Sequence, residues 1–295
     1  MFLHSVLQFF SDHATAIQVA FYAAILGGFW IFEWRQTGRH TLRKLGHTGF
    51  NATFMLLALP VQLAMMSLVL ALSHWCTTSH VGLLYLLPFH DTAIVKYGVM
   101  FLVMDFLDYA YHYAAHQIPW LWRLHLVHHS DRDMDVSTTF REHPAETFVR
   151  TAVLALWVFL CGAPLELLVL RQTFETIANV GQHSRLGLPK RVAAFAQYIF
   201  VTPDMHQAHH HARLPGTDCN YGDVLSFWDR LFGTRLHLSR DRIQFGVDTH
   251  LDQHNDMAAL LGISRSLRGR RETSVRRAPS PAIVSKAYAT DMRKG

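Results

Sequence analysis

The sequence has few cysteines, and the three it has stand far apart. Cys76, Cys161 and Cys219 have no spacing typical of a metal ligand set, and no CxxC pair occurs. Three scattered thiols are also too few for a disulfide framework. These absences exclude a thiolate zinc site, an iron–sulfur cluster and a small disulfide-stapled domain as the basis of function.

Charge is also scarce. Only 17% of the residues are charged, half are hydrophobic, and the mean hydropathy is +0.12. No Lys, Arg, Asp or Glu occurs from Leu45 to His90, and residues 1–13 contain no Lys or Arg. The second absence removes the charged start of a cleavable signal peptide. The composition is too apolar for a typical soluble protein and predicts a chain partly embedded in a bilayer.

The positive charge that is present concentrates at one end. The net charge is +5 and the pI is about 9.2, values that would suit a nucleic-acid-binding protein. However, six arginines crowd into a short part of the tail: Arg265, Arg268, Arg270, Arg271, Arg276 and Arg277. We interpret residues 251–295 as a basic cytoplasmic tail, disordered from about residue 265, where solvation or contact with anionic headgroups explains the charge. We expect no nucleic-acid partner.

Long apolar runs predict membrane spans. Thr15–Phe32, Phe50–Ser73 and Ala93–Tyr111 are each long enough, or nearly so, to cross the hydrocarbon core as a helix. The basic segment Arg35–Lys44 between the first two spans predicts a cytoplasmic loop, since positive residues favour that side. The uncharged link 74–92 then lies on the opposite side. The third span therefore delivers the residues after it to the cytoplasmic face.

A fourth apolar stretch is interrupted in its middle. Thr147–Cys161 is followed by Gly162-Ala163-Pro164 and then by the more amphipathic Leu165–Val180. Gly and Pro break a helix, so the two halves predict a hairpin that enters and leaves on one side of the membrane. Whether the hairpin crosses the bilayer fully or re-enters is open. Thr202-Pro203-Asp204 after it is typical of a helix start.

Histidines form three groups at helical spacing, drawn from 21 in the chain. Residues three and four apart share one face of a helix, so each group projects together. The groups are His112 and His116; His125, His128 and His129; and His206, His209 and His210. Chance clustering is the alternative, but two HxxHH copies behind an HxxxH make it a poor one. Eight imidazoles are too many for one metal ion and a sensible number for two, whereas His211 points elsewhere.

The ligand type narrows the choice of metal. Imidazole without thiolate suits iron, zinc, copper or nickel, and a closed structural zinc site needs only four ligands. Iron is favoured and zinc stays open. A zinc-binding or metal-transporting membrane protein is the alternative function, but it predicts metal-binding residues inside the spans. The interiors of the first two spans contain no ionisable residue.

The set of motifs resembles the fatty acid hydroxylase / sterol desaturase superfamily of integral-membrane, non-haem di-iron oxygenases. The resemblance covers roughly residues 93–235 and is carried by FLDYAYHYAAHQIPWLWRLHLVHHSD, STTFREHPAE, TPDMHQAHH and NYGDVLSFWDRLFGT. It implies an all-α integral membrane protein with three to five membrane helices or hairpins and a cytoplasmic helical cap. The predicted divisions are N-terminal membrane helices over 1–92, a catalytic domain over 93–250, and the basic tail over 251–295.

The resemblance also implies a ligand set. The catalytic and metal-binding residues would be His112, His116, His125, His128, His129, His183, His206, His209 and His210. His183 enters through GQHS, where the chain has Arg185 at a position that is Asn in many relatives. His143 is expected to support the ligands or face the substrate. Asp108, four residues before His112, is expected to hold the second nitrogen of that imidazole.

The implied chemistry is oxidation of a C–H bond of a lipid drawn from the bilayer, by O2, at two iron ions. Hydroxylation and desaturation both remain open, as does the identity of the lipid. The chain has no His-Pro-Gly-Gly motif and no dinucleotide-binding glycine fingerprint. A separate electron donor, cytochrome b5-like or a ferredoxin with its reductase, is therefore expected on the cytoplasmic side. A bacterial inner membrane is favoured over the endoplasmic reticulum as the location.

Overall fold

The computed structural model describes residues 14–37, 41–214, 216–248 and 254–262, and the regular elements of this part are helices joined by loops. The helices are α1 Ala14–Thr37, α2 Thr41–Ser79, α3 Leu83–Leu86, α4 Met100–Gln117, α5 Pro119–His129, α6 Pro144–Cys161, α7 Leu165–His183, α8 Lys190–Ala196, α9 Pro203–His209, α10 Phe227–Leu231 and α11 Met257–Leu260. A π-helical stretch, Ile94–Val99, precedes α4, and short 3-10 turns form at Val136–Phe140, Gly216–Asp218 and Arg240–Arg242. Within the described ranges extended pairing is limited to the isolated bridges Phe200–Leu225 and His211–Phe245.

Within the part of the chain that the structure describes, two stretches are long and apolar enough to cross a bilayer: Leu42–Leu86 and Pro144–Cys161. The first contains the predicted span Phe50–Ser73, now part of one helix, α2, which includes Pro60. At 1.5 Å per residue, α2 is about 58 Å long, well beyond the roughly 30 Å of a hydrocarbon core. The other two predicted spans are helical as expected, and their crossing of the membrane stays a prediction.

The outer faces of α2 and α6 are apolar and exposed. Leu56 and Leu63 on α2 and Leu156 and Leu160 on α6 have large solvent-accessible fractions. A contiguous apolar surface of this kind is rare on a soluble monomer and typical of a protein that meets lipid. The all-helical, membrane-embedded character predicted from the sequence is therefore supported.

The helices α6 and α7 are joined at the predicted break. Gly162 has a left-handed backbone conformation (φ 68°), and Gly82 (φ 118°) lies so close that a Cβ on it would be 2.2 Å from the Gly162 nitrogen. Only glycine fits this approach. The Ser73 hydroxyl donates to the Ala163 carbonyl nearby, at 2.8 Å. The turn between α6 and α7 and the link after α2 therefore lie together at one end of the helices.

The apolar core lies between these helices. It contains residues from α2, α3, α4, α6 and α7: Val69, Leu84, Met100, Met104, Ala155, Val158, Cys161, Ala163, Leu167 and Leu168. Packing of these side chains fixes α4 and α7 relative to each other. The C-terminal ends of both helices carry predicted metal ligands.

A buried group of charged residues fastens the first two helices to the segment after α5. We call Glu33, Lys44, His47, Asp131, Asp135 and Arg141 the ion network. Lys44 Nζ contacts Glu33 Oε2 at 2.9 Å and Asp135 Oδ2 at 3.1 Å. His47 Nε2 lies 3.0 Å from Asp131 Oδ1. Arg141 Nε donates to the Val127 carbonyl, near the C-terminal end of α5.

The position of Lys44 corrects the prediction of a basic loop at residues 35–44. The helix α2 begins at Thr41, so Arg43 and Lys44 are helical. Lys44 is buried because two carboxylates neutralise it. Lys44 is therefore paired inside the protein. Only the remaining basic residues of segment 35–44 can contribute to the positive-inside signal. Residues 38–40 and the predicted tail from residue 263 onward lie outside the described residues.

Candidate metal centre

Four helix ends meet at one place and bring the predicted histidines together. The last turns of α4 and α7 and the helices α5 and α9 supply them. α5 and α9 both begin with proline, which fixes the first turn without losing a needed N–H. The predicted start of the third histidine helix, at Thr202-Pro203, is thereby confirmed. The side chains fall into two groups.

The first group, which we call the pentad, combines histidines from α4, α5 and α9. Its members are His112, His116, His125, His129 and His209, and one ring nitrogen from each lies within 4.8 Å of all the others. The Nε2 atoms of His112, His116, His125 and His209 are buried and have no hydrogen-bond partner. His129 lacks a partner at both ring nitrogens. Five lone pairs can therefore converge on one point.

The second group, the tetrad, contains His128, His183, His206 and His210, again within 4.8 Å. His183 Nε2 lies 3.0 Å from His128 Nε2 and 3.1 Å from His206 Nε2. His206 Nε2 is 3.2 Å from His210 Nε2. A neutral imidazole carries a single N–H, so these nitrogens cannot satisfy one another as a set. A bound cation would satisfy them.

The two groups are adjacent. The rings of His129, in the pentad, and His210, in the tetrad, stack with centroids 4.3 Å apart. His209 and His210 are consecutive residues at the end of α9 and serve different groups. Two sites at this separation fit a pair of ions in one centre, as the number of imidazoles predicts.

Burial keeps the imidazoles neutral. Removal from water lowers the pKa of His183 to about 4 and that of His209 to about 3. The same cause lowers the pKa of His128, His129, His206 and His210 well below its ordinary value. A neutral imidazole is the form that ligates a metal, so these groups are ready to bind at physiological pH.

The second nitrogens of several histidines are held by groups from elsewhere in the chain. His112 Nδ1 lies 3.0 Å from the Tyr221 carbonyl, and His209 Nδ1 lies 2.6 Å from the Cys219 carbonyl. His183 Nδ1 faces the Asn179 carbonyl at 2.8 Å. A carbonyl only accepts, so each Nδ1 must carry the proton. The Nε2 lone pair of each ring is then free for a metal.

Two carboxylates also hold the second ring nitrogen of a histidine. Glu146 Oε1 accepts from His125 Nδ1 at 2.6 Å, and Asp218 Oδ1 lies 3.3 Å from His116 Nδ1. Carboxylate partners orient the ring and increase its basicity as a ligand. Sequence reasoning missed both residues as partners. Glu146 belongs to the HPAE segment and Asp218 stands just before NYGD, so only the motif context pointed to them.

The segment that supplies the carbonyls is itself tightly held. Asn220 has a positive φ of 49°, and its amide donates to the carbonyls of Met205 and Leu236. The Tyr221 N–H donates to Asp229 Oδ1 at 2.7 Å. These bonds fix residues 219–221 and so fix the two carbonyls that face His112 and His209. The NYGD and SFWDRLFGT segments thus support the site without ligating.

The expectation for Asp108 is wrong in its partner. Its carboxylate accepts from Arg171 Nε at 3.0 Å and from Arg171 Nη2 at 2.7 Å. The second nitrogen of His112 contacts the Tyr221 carbonyl instead. Asp108 belongs to a separate carboxylate group with Glu175 and Asp223, in which Arg171 supplies the counter-charge. Spacing of four along a helix placed Asp108 beside His112, but a nearby cation attracted the carboxylate more strongly.

The remaining singled-out histidines lie apart from both groups. His143 is the N-cap of α6, and its Nδ1 accepts from the Ala145 N–H at 3.0 Å. His211 Nδ1 accepts from the Gln244 N–H, away from the pentad and the tetrad. His143 therefore supports α6, the helix that carries Glu146, and does so through the backbone.

The donor set fits two metal ions. Nine imidazoles, seven of them buried and two part-buried and several with orphaned nitrogens, would be costly without an ion to accept their lone pairs. All the donors are nitrogen, which suits iron, zinc or copper and disfavours magnesium and calcium. The arrangement can hold two such ions in a dry, rigid setting.

Comparison with known proteins gives a consistent result. Residues 97–234 match the family model described as Fatty acid hydroxylase. The chain is 33% identical over 132 residues to the ornithine lipid hydroxylase OlsE of Rhizobium tropici, covering 45% of this chain and 39% of that protein. It is 28% identical over 153 residues to human alkylglycerol monooxygenase, covering 51% of this chain and 32% of that protein. The match thus spans well under half of either relative, and no solved structure matches.

Proposed function

Because residues 97–234 form a domain of the fatty acid hydroxylase family, we propose that the protein is a membrane-bound lipid hydroxylase with two iron ions. The pentad and the tetrad would each hold one ion, through the nine histidines named above. The observation that carries the proposal is the set of buried ring nitrogens without partners in two adjacent groups. Structural histidines find hydrogen-bond partners, whereas ring nitrogens of these histidines converge in two groups and several have no partner.

Bound iron would supply the redox chemistry that oxidises an unactivated C–H bond, which no side chain can do. Overall, RH, O2, two electrons and two protons give ROH and water. The relatives are named as a hydroxylase and a monooxygenase, so hydroxylation is favoured over desaturation for this chain. A lipid is the proposed substrate, since the site lies at the end of apolar helices.

The protein's own groups orient the ligands and exclude water. Glu146, Asp218 and the carbonyls of Cys219 and Tyr221 hold the rings of the pentad with their Nε2 atoms inward. All nine rings are largely withdrawn from solvent, so the site keeps its ligand geometry before any substrate binds. Preorganisation of this kind avoids the cost of rearrangement during the reaction.

The site would face the cytoplasm, and electrons would come from a separate protein. The ion network joins the C-terminal end of α1 and the N-terminal end of α2 to the segment that follows the histidine helix α5, which supports one common side for them. Positive residues at that junction, with Arg43 as an exposed example, favour the cytoplasmic side. A cytochrome b5-like protein or a ferredoxin with its reductase would dock there, and a bacterial inner membrane remains the preferred location.

The test is metal content together with oxygen-dependent product formation. Protein purified in detergent should contain two iron ions per chain. Membranes containing it should convert a lipid to a product with one added oxygen atom, and only in the presence of O2 and a reductant. Zinc-loaded protein should be inactive. Protein that binds zinc alone, with no oxygen-dependent change in any lipid, would support a zinc-binding role and refute the oxygenase.

A further inference from the structure

A cavity opens between α2 and the start of α6, the helix that carries Glu146. It has a volume of about 160 Å³ and is lined by Met55, Ala58, Leu59, Gln62, Thr139, Phe140, Glu142 and Thr147. Pockets that enclose a drug-sized ligand have roughly 300–1,000 Å³. This cavity therefore fits part of a lipid, such as one polar group and the carbons next to it.

One wall of the cavity is polar and incompletely satisfied. Thr147 is 2% exposed, and its hydroxyl has no hydrogen-bond partner. The hydroxyl of Thr139 is also buried and without a partner. A buried hydroxyl without a partner costs free energy unless something binds it. Gln62 adds an amide to the same lining.

The other side of the cavity faces the apolar surface of the protein. Leu59 and Leu63 on α2 are 44% and 61% exposed, and Phe148 on α6 is 52% exposed. Both helices belong to the stretches that are apolar enough to cross a bilayer. An alkyl chain could lie along this surface while the group at its end enters the cavity, so that the chain need never cross water.

One lining residue of the cavity is next in sequence to a residue that supports the pentad. Thr147 directly follows Glu146, the carboxylate that accepts from His125 Nδ1 at 2.6 Å. The cavity and the carboxylate that supports the pentad therefore share the helix α6, although the cavity and the pentad have no residue in common.

The chemistry of the lining limits the ligand class. The lining residues include amide and hydroxyl groups but no Lys, Arg or His. Its one carboxylate, Glu142, is already paired with Arg150 at 2.9 and 3.0 Å. A phosphate would find no cation here, and an ammonium would find a carboxylate that is already neutralised. A neutral oxygen-bearing group fits best.

We propose that this cavity binds a neutral hydroxyl, ether or ester group of the lipid substrate, with Gln62, Thr139 and Thr147 as its hydrogen-bonding residues. The proposal rests on the proposed lipid hydroxylation. It assigns this cavity as the place where the polar end of the substrate binds. It makes Gln62 and Thr139 specificity-determining residues, since neither is a ligand or contacts one of the nine histidines.

Photolabelling tests the site without relying on turnover. The probe is 1-O-hexadecylglycerol with a diazirine on the third carbon of the alkyl chain, and the comparison probe is hexadecane with the same diazirine and no oxygen. The glycerol probe should label the segments 55–62 and 139–147 preferentially, and excess unlabelled 1-O-hexadecylglycerol should compete. Hexadecane should label exposed apolar faces without this preference.

The variants Gln62→Leu and Thr139→Val remove the polar groups at nearly constant volume. Loss of one hydrogen bond should lower cavity labelling by roughly five- to tenfold. Thr53→Val is the matched control, because Thr53 is an exposed residue of α2 whose hydroxyl donates to the Gly49 carbonyl. It should label as wild type does. Equal iron content in all the variants would show that they are folded.

The outcomes separate this proposal from the general function. If wild-type protein hydroxylates a lipid but labelling is spread evenly and unchanged in Gln62→Leu and Thr139→Val, the cavity is refuted and the hydroxylase stands. If labelling is confined to the cavity but no lipid is oxidised, the binding site stands and the hydroxylase falls. With 1-O-hexadecylglycerol as a working substrate, both variants should raise KM and leave kcat unchanged.

Discussion

The ion network and the histidine centre are both buried and polar, but they differ in whether their polar atoms have partners. In the ion network, Lys44 meets two carboxylates and Asp131 accepts from Thr138 as well as facing His47. In the histidine centre, the ring nitrogens that point inward face one another or face no partner. The polar groups of the ion network satisfy one another, whereas the inward nitrogens of the centre would need a bound metal to satisfy them.

This difference indicates that the ion network stabilises the fold, whereas the histidine centre serves the function. Buried ionised groups persist only when they are paired, and the ion network uses its pairs to hold α1 and α2 to the segment after α5. Orphaned nitrogens in a rigid setting would be selected against unless a metal filled them. Changes in the two regions should therefore fail in different ways: loss of activity in one, loss of stability in the other.

The largest expected effect is loss of a ligand. His209→Ala in the pentad and His128→Ala in the tetrad should each lower bound iron and reduce oxygen-dependent turnover by about a thousandfold or more, because the ligands act as one unit. Membrane insertion should persist, since the apolar helices are untouched. Iron content and product formation are the measurements.

The control for these variants is His237→Ala, because His237 is exposed. It should retain both iron and activity. The double variant His128→Ala/His209→Ala should be scarcely worse than either single change. Full iron content and activity in His209→Ala would remove α9 from the site and with it the two-ion assignment.

The next effect is on stability. Lys44→Met leaves Glu33 and Asp135 buried without their cation, which should cost about 3–5 kcal/mol of unfolding free energy. Arg43→Met is the matched control one residue away. Its pair with Asp133 is exposed and should be worth less than about 1 kcal/mol. Thermal unfolding in detergent measures both.

Activity per bound iron separates the two regions in the same experiment. Folded Lys44→Met protein should retain normal turnover per iron, since Lys44 contacts no histidine ligand. A Lys44→Met protein that has normal stability but has lost its iron would contradict the assignment of Lys44 to stability alone.

A smaller effect is expected at a group that supports a ligand. Glu146→Gln keeps the size of the side chain but removes the charge beside His125, and it should lower iron affinity by about 10- to 100-fold. Asn179→Ala is the control, because His183 contacts only the backbone carbonyl of Asn179. Competition with a chelator gives both affinities, and equal losses in the two variants would remove the role assigned to Glu146.

The smallest effect is the pH dependence of the ion network. Burial acts to raise the pKa of Asp135, but contacts with His47, Ser137 and Lys44 outweigh it and lower the pKa to about 2. A lowered carboxyl pKa contributes stability that is present above the unfolded value of about 4 and is lost as pH falls towards 2. The contribution should be about 2 kcal/mol.

Asp135→Asn should remove this part of the acid dependence of the unfolding free energy. Asp241→Asn, at an exposed position, should leave it unchanged. Parallel acid profiles for wild type and Asp135→Asn would mean that other groups control acid stability.

Local sequence periodicity predicted the parts of the site that lie along single helices. The three histidine groups, the helix start at Thr202 and the break at Gly162 all follow from spacing and from Gly and Pro chemistry. The division into pentad and tetrad does not, because it separates the neighbours His128 from His129 and His209 from His210. That division depends on how four helices pack together, and the residue spacing within one helix contains no information on this packing.

The errors have one physical origin. Asp108 and Lys44 were each interpreted from their sequence neighbours, and each is paired with a residue far along the chain. Glu146 and Asp218 were missed as partners for the same reason, since they are 21 and 102 residues from the histidines they contact. Opposite charges and hydrogen-bonding groups find each other only after the helices have packed.

The composition of the two histidine groups has a consequence for the order of assembly during synthesis. The pentad takes His209 from α9, and the tetrad takes His206 and His210 from that helix and the residue after it. A nascent chain that ends before residue 203 therefore lacks histidines of both groups, even when α1 to α7 have already been made. If each group holds an ion, as proposed, neither ion would acquire its full coordination until α9 has been translated and has docked.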